Sequence, residues 1–471
     1  MNRRHFIRHV SLLAAGVTLG WASRAAEPGF PAVRTPETKR RFKSRAVERT
    51  IETIKARIGN RELGWMFENC LPNALDTAVD FQVVDGRPDT YVVSRDVDAM
   101  WLRDSTAQVW PYLPLMKNDS NLQQLIAGVI NRQTRCILKD PYANAFYRDE
   151  NKVSPWKSDR TEMKPGVHER KWAIDSLCYP IRLAYHYWKA SNDRAPLDAT
   201  WREAMLRALK TFREQQRKAG LGPYSFQRRT EMPSDTLAGG GYGRPAKPAG
   251  LIFSMFRPTD DATVFPLLVP SNLFAVISLR QAAELLSQIH RDQETASQCR
   301  ALADEVEGAL REHAVVIHQK HGRILPYELD GYGNSYCIDE GSAPSLLSLP
   351  YLDAVTPGDP LYLNTRRFVL SDSNPYYCAG KAASGPGGPH VGRDMIWLLG
   401  LIVQGLTSTD DQEVRQCLLT LQKTHAGTGF MHEAFHKDDP DKFTRSWFPW
   451  ANSMFGELIL KSYKERPHVL N

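Results

Sequence analysis

Apolar residues recur at helical spacing along most of the chain. Val47, Ile51, Ile54 and Ile58 fall three or four apart and are followed by Gly59, which predicts a helix that stops there. Trp201, Met205, Leu209 and Phe212 repeat the pattern, as do Leu302, Val306 and Leu310. Similar stretches predict helices near 120–138, 171–190, 270–290, 391–406, 409–424 and 449–463. Alternating strand patterns are few and short. Between the helices lie loops dense in Gly, Pro, Asp, Trp and Tyr, such as "GYGNSYCIDEGSAP" and "YYCAGKAASGPGGPH". The pattern predicts a mostly α fold with long, chemically rich loops, which suits a helical toroid with a pocket at one face, although the period itself does not dictate a closed ring.

The first residues break this pattern. "NRRHFIRHVSLLAAGVTLGWASRAA" has a basic start, an apolar run from Val10 to Trp21 and small residues after it, which predicts an export leader cleaved after Ala25 or Ala26. Arg3 and Arg4 before Phe6 resemble a twin-arginine signal, so a periplasmic or secreted destination is expected. The apolar run is too short to span a bilayer, which needs about 20 residues. Residues 27–43, with three prolines and many charges, read as an extended lead into one catalytic domain, 44–471.

Removing the leader lowers the formal charge from +7 to +3, because four arginines and no acids leave with it. No Lys/Arg cluster with interleaved aromatics remains, which argues against a nucleic-acid partner. After cleavage no membrane anchor is expected. Seven cysteines are scattered with no C-x-x-C pair, as expected of buried thiols rather than a redox or zinc site. The loop "AGGGYGRP" lacks the G-K-[ST] ending and the preceding strand of a phosphate cradle. No coiled-coil pattern points to an oligomer interface.

Four stretches concentrate carboxylates, arginines and aromatics. "SRDVDAMWLRDSTAQVWPYL" carries Asp96, Asp98, Trp101, Arg103 and Asp104; a helix starting at Asp98 would place Trp101 and Asp104 on one side. "FSMFRPTDDATVF" holds Arg257 before the adjacent carboxylates Asp260 and Asp261. The third is a pair: "VHERKWAIDSLCYPI" with Glu169, Arg170 and Asp175, and "GPGGPHVGRDMIW" with His390, Arg393 and Asp394. The fourth, "TGFMHEAFHKDDPDKF", carries Glu433 and lies upstream of Trp447 and Trp450. Carboxylates and guanidinium groups take sugar hydroxyls, and an aromatic face packs on the C–H patch of a sugar ring. A salt-bridged surface helix with a buried Trp gives the same composition in the first stretch.

His432, Glu433 and His436 spell a zinc-protease motif, with Glu457 at a third-ligand distance. That motif works only on a helix, where both histidines share a face and the Glu is the base. Gly427 and Gly429 just before it, and Pro440 just after, predict a loop instead.

The ordered set "DAMWLRDS", "FRPTDDA", "SLPYL" and "GFMHEAFHKDDPDKFTRSWFPWAN" resembles glycoside hydrolase family 125, whose members are exo-acting α-1,6-mannosidases. The resemblance runs from about Arg45 to Tyr463 and includes "FENCLPNALDT". It implies an (α/α)6 barrel, an inverting mechanism, no cofactor or required metal, and a mannoside glycan as substrate. It places the general acid in "RPTDD", with Asp260 favoured over Asp261, and the general base at Glu433. Asp98, Trp101, Arg103, Asp104, Arg257, Asp261, His390 and Trp447 are then expected to bind substrate. An inverting pair of carboxyl groups stands roughly 6.5 to 9.5 Å apart, with the acid kept protonated by burial or a neighbouring carboxylate. Because a guanidinium would oppose that, Arg257 is expected to turn toward substrate or Asp261. An α-glucosidase-like enzyme on the same fold, a zinc protease and an inactive glycan-binding protein are the alternatives.

Overall fold

The computed structural model describes residues 29–94 and 97–471; the leader and Asp96 lie outside the described residues. The lead is extended apart from one 3-10 turn, Glu37–Lys39. Arg34 pins it to the body, reaching Glu48 at 2.6 Å and Asp76 at 2.8 Å.

Two kinds of helix make up the rest. Those of one kind begin on a polar residue whose side chain accepts a backbone N–H of the first turn: Ser44 for Arg45–Lys55, Asn60 for Arg61–Cys70, Asp119 for Ser120–Lys139 and Asp198 for Ala199–Glu214. Asp292, Asp359 and Asp410 do the same for Gln293–His313, Pro360–Val369 and Asp411–Lys423. Such caps satisfy donors that the helix itself cannot and are worth about 1 kcal/mol each. Most of these helices are amphipathic; in Arg45–Lys55 the buried residues are Ala46, Val47, Ile51 and Ile54.

The second kind is buried more nearly all round and has no side-chain cap. Leu102–Val109 lies against Asp175–Ser191, which packs on Val269–His290; Pro449–Glu465 packs on Leu102–Val109 and on Leu398–Thr407. Each follows a short strand or hairpin. Three three-stranded antiparallel sheets stand at these helix starts: Met100–Trp101, Ala145–Phe146 and Val167–Glu169; Leu267–Leu268, Glu328–Leu329 and Ser335–Tyr336; Met395–Trp397, Ala434–His436 and Asp439–Thr444. The first helical N–H groups donate to neighbouring chain instead of to a cap: Leu102 to the carbonyl of Asn144, Val269 to Tyr327 and Leu398 to Glu433. The inner helix starts are therefore stitched to the loops that carry the chemistry.

The periodic helices appear close to their predicted bounds, with two shifts. The stretch expected as helix from 391 opens with the strand Met395–Trp397, and the one from 171 begins at Asp175. The molecule is helix-rich rather than strictly all-α, since the small sheets carry much of the site. All seven cysteines are free thiols. Among the described residues no helix is long and apolar enough to cross a membrane.

Candidate active site

Asp260 sits in a tight turn. Its amide donates to the carbonyl of Arg257 at 2.9 Å, the amide of Arg257 donates to the carbonyl of Asp261 at 2.8 Å, and Phe256 bridges Ala262. The turn holds Asp260 in the left-handed region at φ 63°, which costs an ordinary L-residue about 1–2 kcal/mol and which Asp and Asn tolerate best after Gly. Oδ2 of Asp260 accepts the indole N–H of Trp101 at 3.1 Å, and Oδ1 accepts the amide of Asn144 at 3.1 Å. The Arg103 guanidinium lies 3.6 Å from Oδ1. Asp261 points elsewhere: its Oδ2 meets Nδ1 of His390 at 3.1 Å. The two side chains are 16% and 3% exposed respectively, so Asp260 is the one open to a substrate.

The turn rests on buried charge. The expectation that Arg257 turns toward substrate or Asp261 is not met. Its guanidinium points beneath the turn, to Glu328 at 2.6 Å and Glu340 at 2.5 Å, while its backbone amide meets the carbonyl of Asp261. Two carboxylates in a water-poor interior outcompete one, and Glu328 also accepts the amides of Val264 and Phe265. On the other side, the buried Lys171 ammonium donates to the carbonyl of Asp260 at 2.8 Å and to Asp235 at 2.6 Å. Arg228 joins the same group, reaching Asp159 at 2.6 Å and Glu169 at 2.9 Å. Burial alone would raise the Glu169 carboxyl, but Lys171 and Arg228 outweigh it and hold the group well below the usual range.

Arg103 links Asp260 to two further carboxyls, Asp175 at 3.3 Å and Asp104 at 3.4 Å. Burial pushes Asp175 up to about 6, against the pull of Arg103, and raises Asp104 in the same direction. Both lie in first helical turns, where the helix dipole favours negative charge. The guanidinium of Arg103 also lies over the Trp450 ring, 5.6 Å from its centroid.

Glu433 approaches on different structure. Its amide donates to Thr444 and its carbonyl accepts from Leu398, which holds it at the entry to the hairpin Ala434–His436/Asp439–Thr444. Oε1 lies 3.3 Å from Nε of Arg445, and the side chain is 12% exposed. Arg445 also acts electrostatically on Asp104, which places Glu433 in the same charged neighbourhood as Arg103 and Asp260. His432 stacks on Phe443 at 3.8 Å and its Nδ1 meets the carbonyl of Arg445 at 3.1 Å.

This geometry removes the zinc-protease reading. His432 and Glu433 lie outside any helix and His436 is on a strand. Residues four apart on extended backbone are separated by about 13 Å, too far to share one ion. Among the described residues no group of three or more His, Cys, Asp or Glu side chains is arranged to hold a metal.

The remaining expectations divide. Trp101 is not on one helix with Asp104; it ends a strand and precedes the helix that begins at Leu102. Asp98 is exposed and paired with Lys152, so it does not join the Asp260 cluster. His390 reaches the site through Asp261, and Trp447 is half-buried two residues from Arg445. Asn144, Lys171 and Arg445 were not expected. Lys171 sits inside the highlighted "HERKWAID" stretch, whereas nothing in "PYANAFY" marks Asn144.

Residues 60–460 match the family model of the metal-independent alpha-mannosidases, GH125. The chain belongs to this family. It is 40% identical over 459 residues, 94% of this chain and 90% of its relative, to the Meiotically up-regulated gene 157 protein of Schizosaccharomyces pombe. Among solved structures it is similar to a Streptococcus pneumoniae metal-independent alpha mannosidase in a non-productive complex with alpha-1,6-mannobiose. The TM-score is 0.87 at 37% identity, covering 90% of this chain and 100% of that one. A GH78 rhamnosidase of Bacillus sp. GL1 shares the fold alone, with TM-score 0.54 at 12% identity over 86% of this chain and 35% of that one. As a GH125 member the protein is a glycoside hydrolase.

Proposed function

We propose that the protein is an exo-acting, inverting mannosidase that releases terminal α-1,6-linked mannose from glycans, with its inner and outer helices arranged as an (α/α)6 barrel. The observation that carries this reading is the similarity, across nine-tenths of the chain, to the S. pneumoniae protein that holds alpha-1,6-mannobiose. Asp260 transfers its proton to the glycosidic oxygen as the C1–O bond breaks. Glu433 takes a proton from the water that attacks C1 from the opposite face, so mannose leaves as the β-anomer. Trp101, Arg103, Asp104 and His390, the last held by Asp261, line the place of the terminal sugar, and Trp447 offers an aromatic face. The N-terminal leader routes the enzyme out of the cytoplasm, where it meets its glycan.

The test follows α-1,6-, α-1,2- and α-1,3-mannobiose and α-1,6-glucobiose by proton NMR, with and without a chelator. The expected result is β-mannose as first product from the α-1,6-mannobiose, with the rate unchanged by chelation. An α-anomer as first product overturns inversion. Faster hydrolysis of the glucobiose overturns the sugar assignment.

A further inference from the structure

Asn144 lies between two carboxylates, and its amide can face only one way. Its Oδ1 accepts the backbone N–H of Lys171 at 3.0 Å. Its NH2 group therefore points to the other side, spanning Oε2 of Glu169 at 2.9 Å and Oδ1 of Asp260 at 3.1 Å. Reversing the amide would set a carbonyl against two carboxylates and an NH2 against an N–H, losing three hydrogen bonds at once in a buried place. One amide hydrogen is committed to Glu169, which Lys171 and Arg228 surround at 3.5 and 2.9 Å. The other is aimed at Oδ1 of Asp260.

This settles which oxygen of Asp260 can bear a proton. Oδ1 faces two hydrogen-bearing groups, the Asn144 amide and, 3.6 Å away, the Arg103 guanidinium, so both directions in which it could carry a hydrogen are already taken. Among the described residues the Trp101 indole N–H is the one side-chain donor to Oδ2, and a hydroxyl oxygen accepts that bond on one side while presenting its own hydrogen on the other. The Lys171 ammonium holds the Asp260 carbonyl and so fixes the turn from which the carboxyl projects. We propose that Asn144 is a positioning residue that makes Oδ2 of Asp260 the oxygen that delivers the proton. The inference rests on the reading of Asp260 as the general acid. In the step itself, the O–H bond of Oδ2 breaks, the hydrogen bonds to the glycosidic oxygen, and the electron pair of the C1–O bond leaves with that oxygen.

The experiment compares two substrates. Alpha-1,6-mannobiose has an alkoxide leaving group that needs the proton, whereas 2,4-dinitrophenyl α-mannoside has a phenolate that does not. Asn144→Ala is expected to lower kcat on the mannobiose by about 100-fold, the low end of general-acid contributions, with KM little changed and a much smaller loss on the dinitrophenyl substrate. Asn144→Ser, which restores a short donor, is expected to recover part of the mannobiose rate and stands in if the alanine variant does not fold. Equal losses on both substrates, or no loss on the mannobiose, overturn the proposal. Asp260→Asn is run alongside: if it too loses equally on both substrates, the assignment of Asp260 as acid fails, whereas a selective Asp260→Asn beside a non-selective Asn144 variant overturns the role of Asn144 alone.

Discussion

The two carboxylates of the site are held in opposite styles. Asp260 stands in a strained turn, with both oxygens engaged by N–H donors, its carbonyl tied to a buried ammonium and at least five further buried charges beneath it. Glu433 stands at the entry to a hairpin and shares one partly exposed guanidinium, that of Arg445, 29% exposed. A group that must hand over a proton along one direction gains from a fixed frame. A group that activates water gains from a partner that can be displaced to admit it. The contrast accords with Asp260 as acid and Glu433 as base.

The largest test of that contrast is removal of the proposed base. Glu433→Ala is expected to lower kcat on α-1,6-mannobiose by about 10⁴-fold, the upper range for general acid–base groups. Added azide should restore turnover of an activated aryl α-mannoside and give β-mannosyl azide, identified by NMR. An α-azide, or no rescue, would contradict the proposed role of Glu433.

Next is the frame beneath Asp260. Lys171→Met strips the ammonium from Asp235 and from the Asp260 carbonyl and leaves buried acids short of a partner. Breaking a buried pair from one side costs about 3–5 kcal/mol, so a matching drop in unfolding free energy in urea is expected. A loss below about 1 kcal/mol, the range of surface pairs, would mean that the frame is not rigidly buried.

The smallest concerns the Glu433 side. Burial holds the His432 imidazole at about 4, below its ordinary 6.5. Its neutral form is the one built into the fold, so its contribution is present above pH 6.5 and is lost as pH falls toward 4, while the unfolded chain takes up the proton. The loss amounts to about 3 kcal/mol at acid pH. His432→Asn, which keeps a donor for the Arg445 carbonyl, should flatten the stability–pH curve across that window. An unchanged slope would place the acid sensitivity elsewhere.

What the sequence conveyed divides along the same lines as the helices. The capped helices announce themselves, because a polar start and one apolar face leave a period, as in Val47, Ile51, Ile54 and Ile58. Leu102–Val109 has no apolar period and entered only as a conditional helix from Asp98, because every residue in it is buried yet "LRDSTAQV" reads as polar: its Arg and Asp lie in the Asp260 cluster, Ser105 and Thr106 accept from Gln133, and Gln108 donates to the carbonyl of Val93. Strands of two or three residues carry too little alternation to be seen. Asp260, Glu433 and Arg103 lay in long motifs. Asn144 meets Asp260 across 116 residues, and that partnership exists only once the sheets have formed.

The backward-twisted backbone at Asp260 also limits how this enzyme can be redesigned. On the proposed inverting mechanism, turning the enzyme into a retaining one means bringing the two carboxyls closer, to about 5 Å, by lengthening one of them. At position 260 the left-handed turn disfavours the longer Glu, which lacks the short side chain that lets Asp and Asn settle there. Any change of stereochemical course therefore has to be engineered from the hairpin that carries Glu433, with Asp260 as the fixed point of the design.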